Sequence, residues 1–324
     1  MDEMKLNIES SGDMEKNLQS SSIDALGSVF LADVPLHNIA KTFSSFGSEN
    51  RVTVVPIGFP QAGKSMLLSS LFRYAVRGQD THFNVNLENK FPFNNGRRAA
   101  DIMINYFEKG KIYSTTRKGT LDLVGLSINP THSKLPRLDL AFLDLAGEDL
   151  QGIKSSNKGD FTAKINAVFN GLQVDDSPII FMLITPFDPP LINNFSIEEA
   201  HQHEDTLHFD FLNYLEKDQP AILNNSKIFI IVSQWDKSTN SALTVEKYIE
   251  KYRPAIHNKV KNSDVSWGQY TVGKLLTTTD ESGNTFQELV KINSEYPARF
   301  WRRLYNVCTN KDLEKKSFWE KLFS

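Results

Sequence analysis

The feature that most constrains the fold is the junction at residues 52–72, which reads VTVVPIGFPQAGKSMLLSSLF. An apolar run rich in valine and isoleucine predicts a buried strand, and the spacing of the leucines after Ser65 predicts a helix. Between them, Gly58 and the triplet Gly63-Lys64-Ser65 complete the pattern G-x-x-x-x-G-K-[ST]. A chance match in a glycine-containing turn is the alternative. The position of the pattern between a strand and a helix favours a phosphate-binding loop.

Such a loop suits the chemistry of a nucleoside triphosphate bound to Mg²⁺. Backbone N–H groups in a curled loop, at the positive end of the following helix, surround phosphate oxygens. We expect Lys64 to bring its charge to the β and γ phosphates, and Ser65 to offer its hydroxyl to Mg²⁺. The residues expected to contact the nucleotide here are Gly58, Phe59, Pro60, Gln61, Ala62, Gly63, Lys64, Ser65 and Met66.

Composition narrows the class of protein further. The chain has 324 residues, of which 40% are hydrophobic, and this is enough for one large domain or two small ones with a real core. A net charge of −3 gives no general attraction to nucleic acid or to anionic membranes. No apolar run approaches the roughly 20 residues of a membrane span. The single cysteine, Cys308, and an acidic N-terminus unlike a signal peptide predict a cytoplasmic protein.

A second motif supplies an acidic residue for the same metal ion. The segment LDLAFLDLAGEDL ends an apolar run at Asp144 and places Gly147 three residues later, which gives D-x-x-G. We expect Asp144 to hold Mg²⁺ through a water molecule, and the N–H of Gly147 to sense the γ-phosphate. An aspartate in a glycine turn is common at strand ends, but the phosphate loop upstream favours the functional interpretation.

Three motifs together, GFPQAGKS, DLAG and SQWDK, resemble those of the Ras-like (TRAFAC) class of P-loop GTPases. In that family an N/T-K-x-D segment recognises guanine through its aspartate, a role that the resemblance assigns to Asp236. Ser233 and Gln234 stand where Asn or Thr and Lys are usual, so the lysine stem that packs along the base is missing. The family's last base-contacting loop corresponds to Thr271 and Val272 in YTVGK. The chain also resembles bacterial GTPases of the double-GTPase kind that are linked to conflict systems.

The resemblance implies an α/β fold, namely a Ras-like P-loop Rossmannoid with helices on both faces of a mostly parallel central sheet. One antiparallel strand pair is predicted at 119–128 and 136–145, and the apolar run at 177–187 predicts a central strand. Residues 78–96 are predicted as a loop. The last strand is predicted at 267–276, and the stretch from about residue 286 is predicted as helical.

The expected organisation has three parts. Residues 1–50 form an N-terminal extension, and residues 281–324 form a C-terminal helical extension. Between them, the GTPase domain over 51–280 carries two inserts, an enlarged first switch region at 66–118 and a helical insert at 188–226.

The family's first switch contributes a threonine whose hydroxyl meets Mg²⁺ only in the triphosphate state. The resemblance assigns this role to Thr116, with Thr115 and then Thr120 as alternatives, and a loop with no metal role is an equal possibility. After D-x-x-G, where many hydrolytic members carry a glutamine, this chain has Glu148. Its carboxylate either orients the attacking water or forms a salt bridge at the start of a helix. The other candidates to orient the water are Gln61 and Gln151.

The motifs therefore predict a protein that binds GTP or GDP with Mg²⁺ and hydrolyses GTP slowly, as a molecular switch for a protein effector or regulator. The alternative is a nucleotide-dependent interaction module with little or no turnover, which Glu148 and the altered SQWD motif favour. D-x-x-G combined with a distal strand-end aspartate disfavours a P-loop kinase or ATPase. No nucleic-acid partner and no peripheral membrane contact are expected. The expected catalytic set is Lys64, Thr116, Gly147 and Glu148.

Two further segments carry polar or aromatic clusters. HQHEDTLH places His201, Glu204, Asp205 and His208 on one face of a helix, which is compatible with a zinc site. The polar composition of the segment instead favours a solvated helix face. Near the C-terminus, the expected contacts of a helix packed on the core are Phe300, Trp301 and Leu304.

Overall fold

A computed structural model describes residues 29–30, 34–58, 62–78, 80–88, 96–110, 120–145, 160–174, 178–191, 195–279 and 285–313. Its central sheet contains a parallel set of strands in the spatial order β5 (Leu138–Leu145), β2 (Val52–Ile57), β6 (Ile179–Pro186), β7 (Ser226–Ser233) and β8 (Val265–Gln269). Strand β4 (Thr120–Pro130) pairs with β5 in the antiparallel direction, and β3 (Phe83–Leu87) and β1 (Val29–Phe30) pair antiparallel with β4. The predicted α/β class, the mostly parallel sheet and the antiparallel pair of β4 with β5 are confirmed.

The parallel strands are buried on both faces because their side chains alternate between two apolar cores. In β6, Met182 and Ile184 enter one core, whereas Phe181 and Leu183 enter the other. All residues of β6 are buried, so the prediction of a central strand from a continuous apolar run is correct.

Helices cover both faces of the sheet. In chain order they are α1 (Leu36–Ser48), α2 (Lys64–Arg77), α3 (Gly96–Glu108), α4 (Asp160–Gln173), α5 (Ile197–Asp218), α6 (Pro220–Asn224), α7 (Val245–Tyr252), α8 (Pro254–Val260) and α9 (Glu295–Thr309). Helices α2, α3 and α9 cover one face, and the others cover the opposite face. Helix α9 packs on the core through Phe300, Trp301 and Leu304, as predicted. Within the described ranges, no helix has the length and apolar character needed to cross a membrane.

Local structure differs from expectation in three places. The predicted loop at 78–96 contains β3, whose sequence FNVNL alternates so that Phe83, Val85 and Leu87 point inward. The predicted last strand at 267–276 is divided between β8 and β9 (Gly273–Thr279), and β9 pairs with β10 (Thr285–Ile292) in a separate hairpin. The stretch from 286 is therefore a strand first, and helix α9 begins only at Glu295.

A glycine at the base of the hairpin of β9 and β10 allows these two strands to pair. Gly273 has φ 151°, and a Cβ atom there would lie 1.9 Å from the carbonyl oxygen of Lys291. A side chain at this position would displace β10, so the strand pairing requires glycine.

Candidate nucleotide-binding site

The predicted phosphate loop joins the end of β2 to the start of α2. Gly63 caps the helix with φ 81°, in the left-handed region where glycine is favoured over other residues. Gly58 packs closely on β6, since a Cβ atom there would lie 3.3 Å from the Cβ of Ile184. Both glycines of the motif are therefore explained by backbone geometry. Phe59, Pro60 and Gln61 lie outside the described residues.

Lys64 and Asp144 form a buried ion pair at the carboxyl edge of the sheet. The Lys64 ammonium group donates to the Asp144 carboxylate and to the carbonyl oxygen of Leu145. The two charged side chains are only 7% and 3% exposed. This contact brings the end of β5 against the first turn of α2, of which Ser65 is the second residue. Lys64, Ser65 and Asp144, predicted separately, thus converge on one corner of the molecule.

The end of β7 is fastened to the phosphate loop. The Ser233 hydroxyl donates a 2.7 Å hydrogen bond to the carbonyl oxygen of Ala62, and Gly63 faces the same hydroxyl. The sequence pattern did not predict this contact, since Ser233 stands out there only as a departure from the Asn or Thr of the resembled family.

The two predicted base-contacting segments meet next to this point. Asp236 is exposed; its backbone N–H donates to the Thr271 hydroxyl (3.1 Å), and that hydroxyl donates to its carboxylate (3.2 Å). Gln234 has a left-handed backbone with φ 56°, and its side-chain oxygen is buried without a hydrogen-bond partner among the described residues. Thr271 therefore orients the Asp236 carboxylate, while Gln234 keeps an acceptor available.

The remaining predicted site residues fall into two groups. The side chain of Met66 is buried in an apolar cluster with Phe107 and Leu289, and the partly buried Val272 packs against the same cluster. Because the Met66 and Val272 side chains pack against apolar groups, only a backbone role remains predicted for these two residues. Thr120 opens β4, opposite Phe30. The predicted residues that lie outside the described part are Thr115, Thr116, Gly147, Glu148 and Gln151.

The HQHEDTLH face of α5 is buried, so the expectation of a solvated face is wrong. His201, Glu204, Asp205 and His208 are each less than a tenth exposed, and Arg253, which no motif predicted, is fully buried beside them. The alternative of a zinc site gains no support, since the described residues contain no group of three or more His, Cys, Asp or Glu side chains that could hold a metal ion. We call these five residues the buried polar cluster.

The buried polar cluster holds the end of β6. Arg253 donates to the Thr185 hydroxyl (3.0 Å) and to the carbonyl oxygen of Pro186 (3.3 Å), and it contacts His201. The Asp205 carboxylate accepts hydrogen bonds from the first N–H groups of α8. Arg253 and Asp205 are thus buried here because they bind backbone groups that need a partner away from water.

Burial shifts the titration of this cluster. It raises the pKa of Glu204 from 4.5 to about 7, against the lowering effect of the Arg253 charge. Burial, together with the nearby Arg253 charge, lowers the pKa of His201 and of His208 from 6.5 to about 4, while Asp188 acts in the opposite direction on His201. At neutral pH both histidines are therefore neutral in the folded chain.

These shifts act on stability in opposite directions. As the pH falls from 6.5 to about 4, the unfolded chain protonates both histidines while the folded chain does not, so the free energy of unfolding falls. Glu204 contributes stability below pH 4.5, and this contribution is lost as the pH rises to about 7. Glu204 therefore offsets part of the acid destabilisation that the histidines cause.

We expect Glu204→Gln to make the acid destabilisation steeper. In the wild type, folded Glu204 takes up a proton as the pH falls below about 7, and glutamine cannot do so. The free energy of unfolding of the variant should therefore fall more rapidly below pH 6.5, by an additional ~1 kcal/mol per pH unit. Urea unfolding at a series of pH values measures this slope. Glu198→Gln, at an exposed position in the first turn of the same helix, should keep the wild-type slope. Equal slopes for the wild type and Glu204→Gln would refute this account of the cluster.

Comparison with known proteins leaves the chain without an assigned family. No family model matches it, and no curated protein is detectably similar to it. One solved structure with some likeness is the crystal structure of a mutation variant of SsGBP, at 11% sequence identity and a TM-score of 0.30. The likeness covers 76% of this chain and 60% of that chain. At this TM-score it supports no conclusion about fold or function.

Proposed function

We propose that this protein binds GTP with Mg²⁺ at the loop from Gly58 to Ser65 and hydrolyses it slowly, as a switch for a protein partner. The observation that carries the proposal is the buried contact between Lys64 at the start of α2 and Asp144 at the end of β5. It joins the two motifs that a metal-bound triphosphate requires, which lie 80 residues apart in the chain.

At the phosphate end of the proposed site, the Lys64 ammonium group exchanges one negatively charged partner for another. Lys64 leaves Asp144 and the Leu145 carbonyl when a polyphosphate enters, since the phosphates offer it a larger negative charge. Asp144 and the Ser65 hydroxyl are the groups that would then hold the Mg²⁺ ion. Bound Mg²⁺ would supply neutralisation of charge on the β and γ phosphates.

The base end of the proposed site relies on Asp236. A carboxylate accepts hydrogen bonds from the ring N–H and the amino group of guanine, whereas adenine lacks this donor pair. The Thr271 hydroxyl at 3.2 Å holds one oxygen of this carboxylate, which supports a fixed orientation toward a base. Gln234, in place of the family's lysine, flanks the same site.

We expect Asp236→Asn to weaken the preference for guanine. Replacing one carboxylate oxygen by an amide removes an acceptor and adds a donor, which should lower the affinity for GTP relative to ATP by about tenfold to a hundredfold. Competition binding with both nucleotides measures the ratio. Asp264→Asn, at an exposed position before β8, should leave the ratio unchanged. If ATP already competes equally with GTP on the wild-type protein, the assignment of Asp236 is wrong.

The proposed domain is the Ras-like one over residues 51–280, with inserts at 66–118 and 188–226. The order of the elements along the chain supports this proposal. Strand β2, the phosphate loop and helix α2 are followed by the antiparallel pair β4 and β5, and β5 ends at the D-x-x-G motif. The parallel strands β6 and β7 come later, and the proposed base-reading segment follows β7. The resemblance predicts this order. Binding of a protein effector through the switch loops is part of the same proposal.

A second candidate is an interaction module that binds nucleotide without meaningful turnover. Two departures from the family favour it, Glu148 in place of glutamine and Gln234 in place of lysine. Phosphate release from GTP followed over hours distinguishes the two functions. Steady release at a rate proportional to protein concentration supports the slow hydrolase, whereas bound nucleotide that stays intact supports the module.

A further inference from the structure

The turn that carries Asp236 is anchored by a buried tryptophan. Trp235 to Lys237 form one short helical turn after β7, and Trp235 is only 9% exposed, whereas Asp236 next to it is exposed. The backbone N–H of Trp235 donates to the carbonyl oxygen of Tyr270 at 3.2 Å. In the N/T-K-x-D pattern of the resembled family, Trp235 stands at the position that is open to any residue, so the motif assigns it no role.

Two aromatic rings hold the indole of Trp235. Phe187, which follows β6, lies edge-to-face with it at a centroid distance of 5.7 Å, and Tyr248 on α7 lies edge-to-face with it at 6.0 Å. The rings of Phe187 and Tyr248 stack on each other at 4.9 Å. These are the arrangements that aromatic pairs favour, so each ring limits the movement of the other two. We call Phe187, Trp235 and Tyr248 the aromatic triad.

Hydrogen bonds fasten the aromatic triad to the ends of two central strands. The Tyr248 hydroxyl donates to the carbonyl oxygen of Phe187 at 2.6 Å, and the carbonyl oxygen of Pro186 lies at 3.2 Å. The backbone N–H of Phe187 donates to the carbonyl oxygen of Ser233, the last residue of β7, at 2.9 Å. The position of Trp235 is therefore determined by α7 and by the end of β6, as well as by its own strand.

Asp236 is held from two sides. Thr271 binds its backbone N–H and its carboxylate, and the residue before it, Trp235, is buried in the aromatic triad. A carboxylate that accepts two hydrogen bonds from one base edge needs a fixed backbone position as well as a fixed side chain. Thr271 orients the side chain, and the aromatic triad holds the backbone.

We propose that Trp235 is a positioning residue for guanine recognition: packed against Phe187 and Tyr248, it fixes the turn from which Asp236 reaches the base. This inference rests on the proposed nucleotide site and concerns its base end alone. In this role Trp235 acts through the backbone of Asp236. Loss of the indole should therefore weaken binding that depends on the base and spare binding that depends on the phosphates.

Replacement of the indole separates these two kinds of binding. Isothermal titration measures the binding of GTP and of inorganic tripolyphosphate, both with Mg²⁺, and urea unfolding shows whether each variant is folded. We expect Trp235→Leu to bind GTP about tenfold more weakly and tripolyphosphate within about twofold of the wild type. Trp267→Leu, which replaces a partly buried tryptophan beside His257, is the control and should bind both compounds as the wild type does.

Tyr248→Phe tests the same role if Trp235→Leu does not fold. It removes only the hydroxyl that donates to Phe187 and keeps the stacked ring. We expect this variant to bind GTP about threefold more weakly, with unchanged binding of tripolyphosphate. Tyr252→Phe, one turn later on α7 with its ring stacked on His201, is the control and should bind GTP as the wild type does.

Three results would overturn the inference. The first is a folded Trp235→Leu that binds GTP as the wild type does, or that loses affinity for GTP and tripolyphosphate equally. The second is an unchanged GTP affinity of Tyr248→Phe where Trp235→Leu is unfolded. The third is a wild type that binds neither compound, in which case the proposed function fails together with this inference, and the wild-type titrations show that result separately.

Discussion

Lys64→Ala is expected to lose GTP binding, with an affinity at least about a hundredfold below that of the wild type. In the proposed site Lys64 is the positive side chain that reaches the β and γ phosphates, and backbone N–H groups alone leave much of their charge unbalanced. Isothermal titration with GTP and Mg²⁺ measures the effect. An unchanged affinity would remove the claim that residues 58–65 bind phosphate.

This substitution also removes a charged partner of the buried Asp144 carboxylate, so stability must be measured in parallel. Asp144 is 3% exposed, and without Lys64 its charge is left in a poorly solvated position. Urea unfolding establishes whether the variant is folded at the temperature of the titration. Lys41→Ala, at an exposed position on α1, is the control and should change neither binding nor stability.

Arg253→Ala is expected to lower the free energy of unfolding by about 3–5 kcal/mol. The guanidinium group is fully buried and donates to Thr185, to Pro186 and to the carbonyl oxygen of Tyr252, so its removal takes one donor away from each of these acceptors. It also removes the positive charge next to Glu204. Urea unfolding followed by far-ultraviolet circular dichroism measures the loss.

The matched control for this second prediction is Arg303→Ala. Arg303 is exposed on α9 and makes one long hydrogen bond of 3.4 Å to Ser266, so its removal should cost less than about 0.5 kcal/mol. A loss below about 1 kcal/mol for Arg253→Ala would contradict the view that the buried polar cluster holds the end of β6.

The sequence predicted the parts of the fold that local pattern determines. Strand β6 was predictable because burial on both faces of the sheet requires a continuous apolar run. The turn before Lys64 was predictable because the left-handed backbone of Gly63 favours glycine. The short strand β3 was predicted as loop because its alternation, FNVNL, is flanked by polar residues. Pairing with β4 decided its structure, and the sequence does not display that pairing.

The burial of the polar cluster could not be predicted from the local sequence pattern. His201, Glu204, Asp205 and His208 indicate a solvated face when the helix is considered alone, because polar residues are mostly exposed. Arg253, which contacts His201 and acts on the charge of Glu204, comes from a separate part of the chain. The contact between Ser233 and Ala62 was missed for a similar reason, since one hydroxyl carries no sequence signal of its partner.

The central claim, that Mg²⁺-bound GTP occupies the corner between β2, β5 and β7, is tested most directly by a crystal structure with Mg²⁺ and GTPγS. We predict the nucleotide phosphates within the loop from Gly58 to Ser65, with Lys64 moved from the Leu145 carbonyl to the phosphates. The metal ion should lie between the Ser65 hydroxyl and Asp144, and the guanine edge should face Asp236. A nucleotide bound elsewhere, or a metal ion that Ser65 and Asp144 do not share, would contradict the claim.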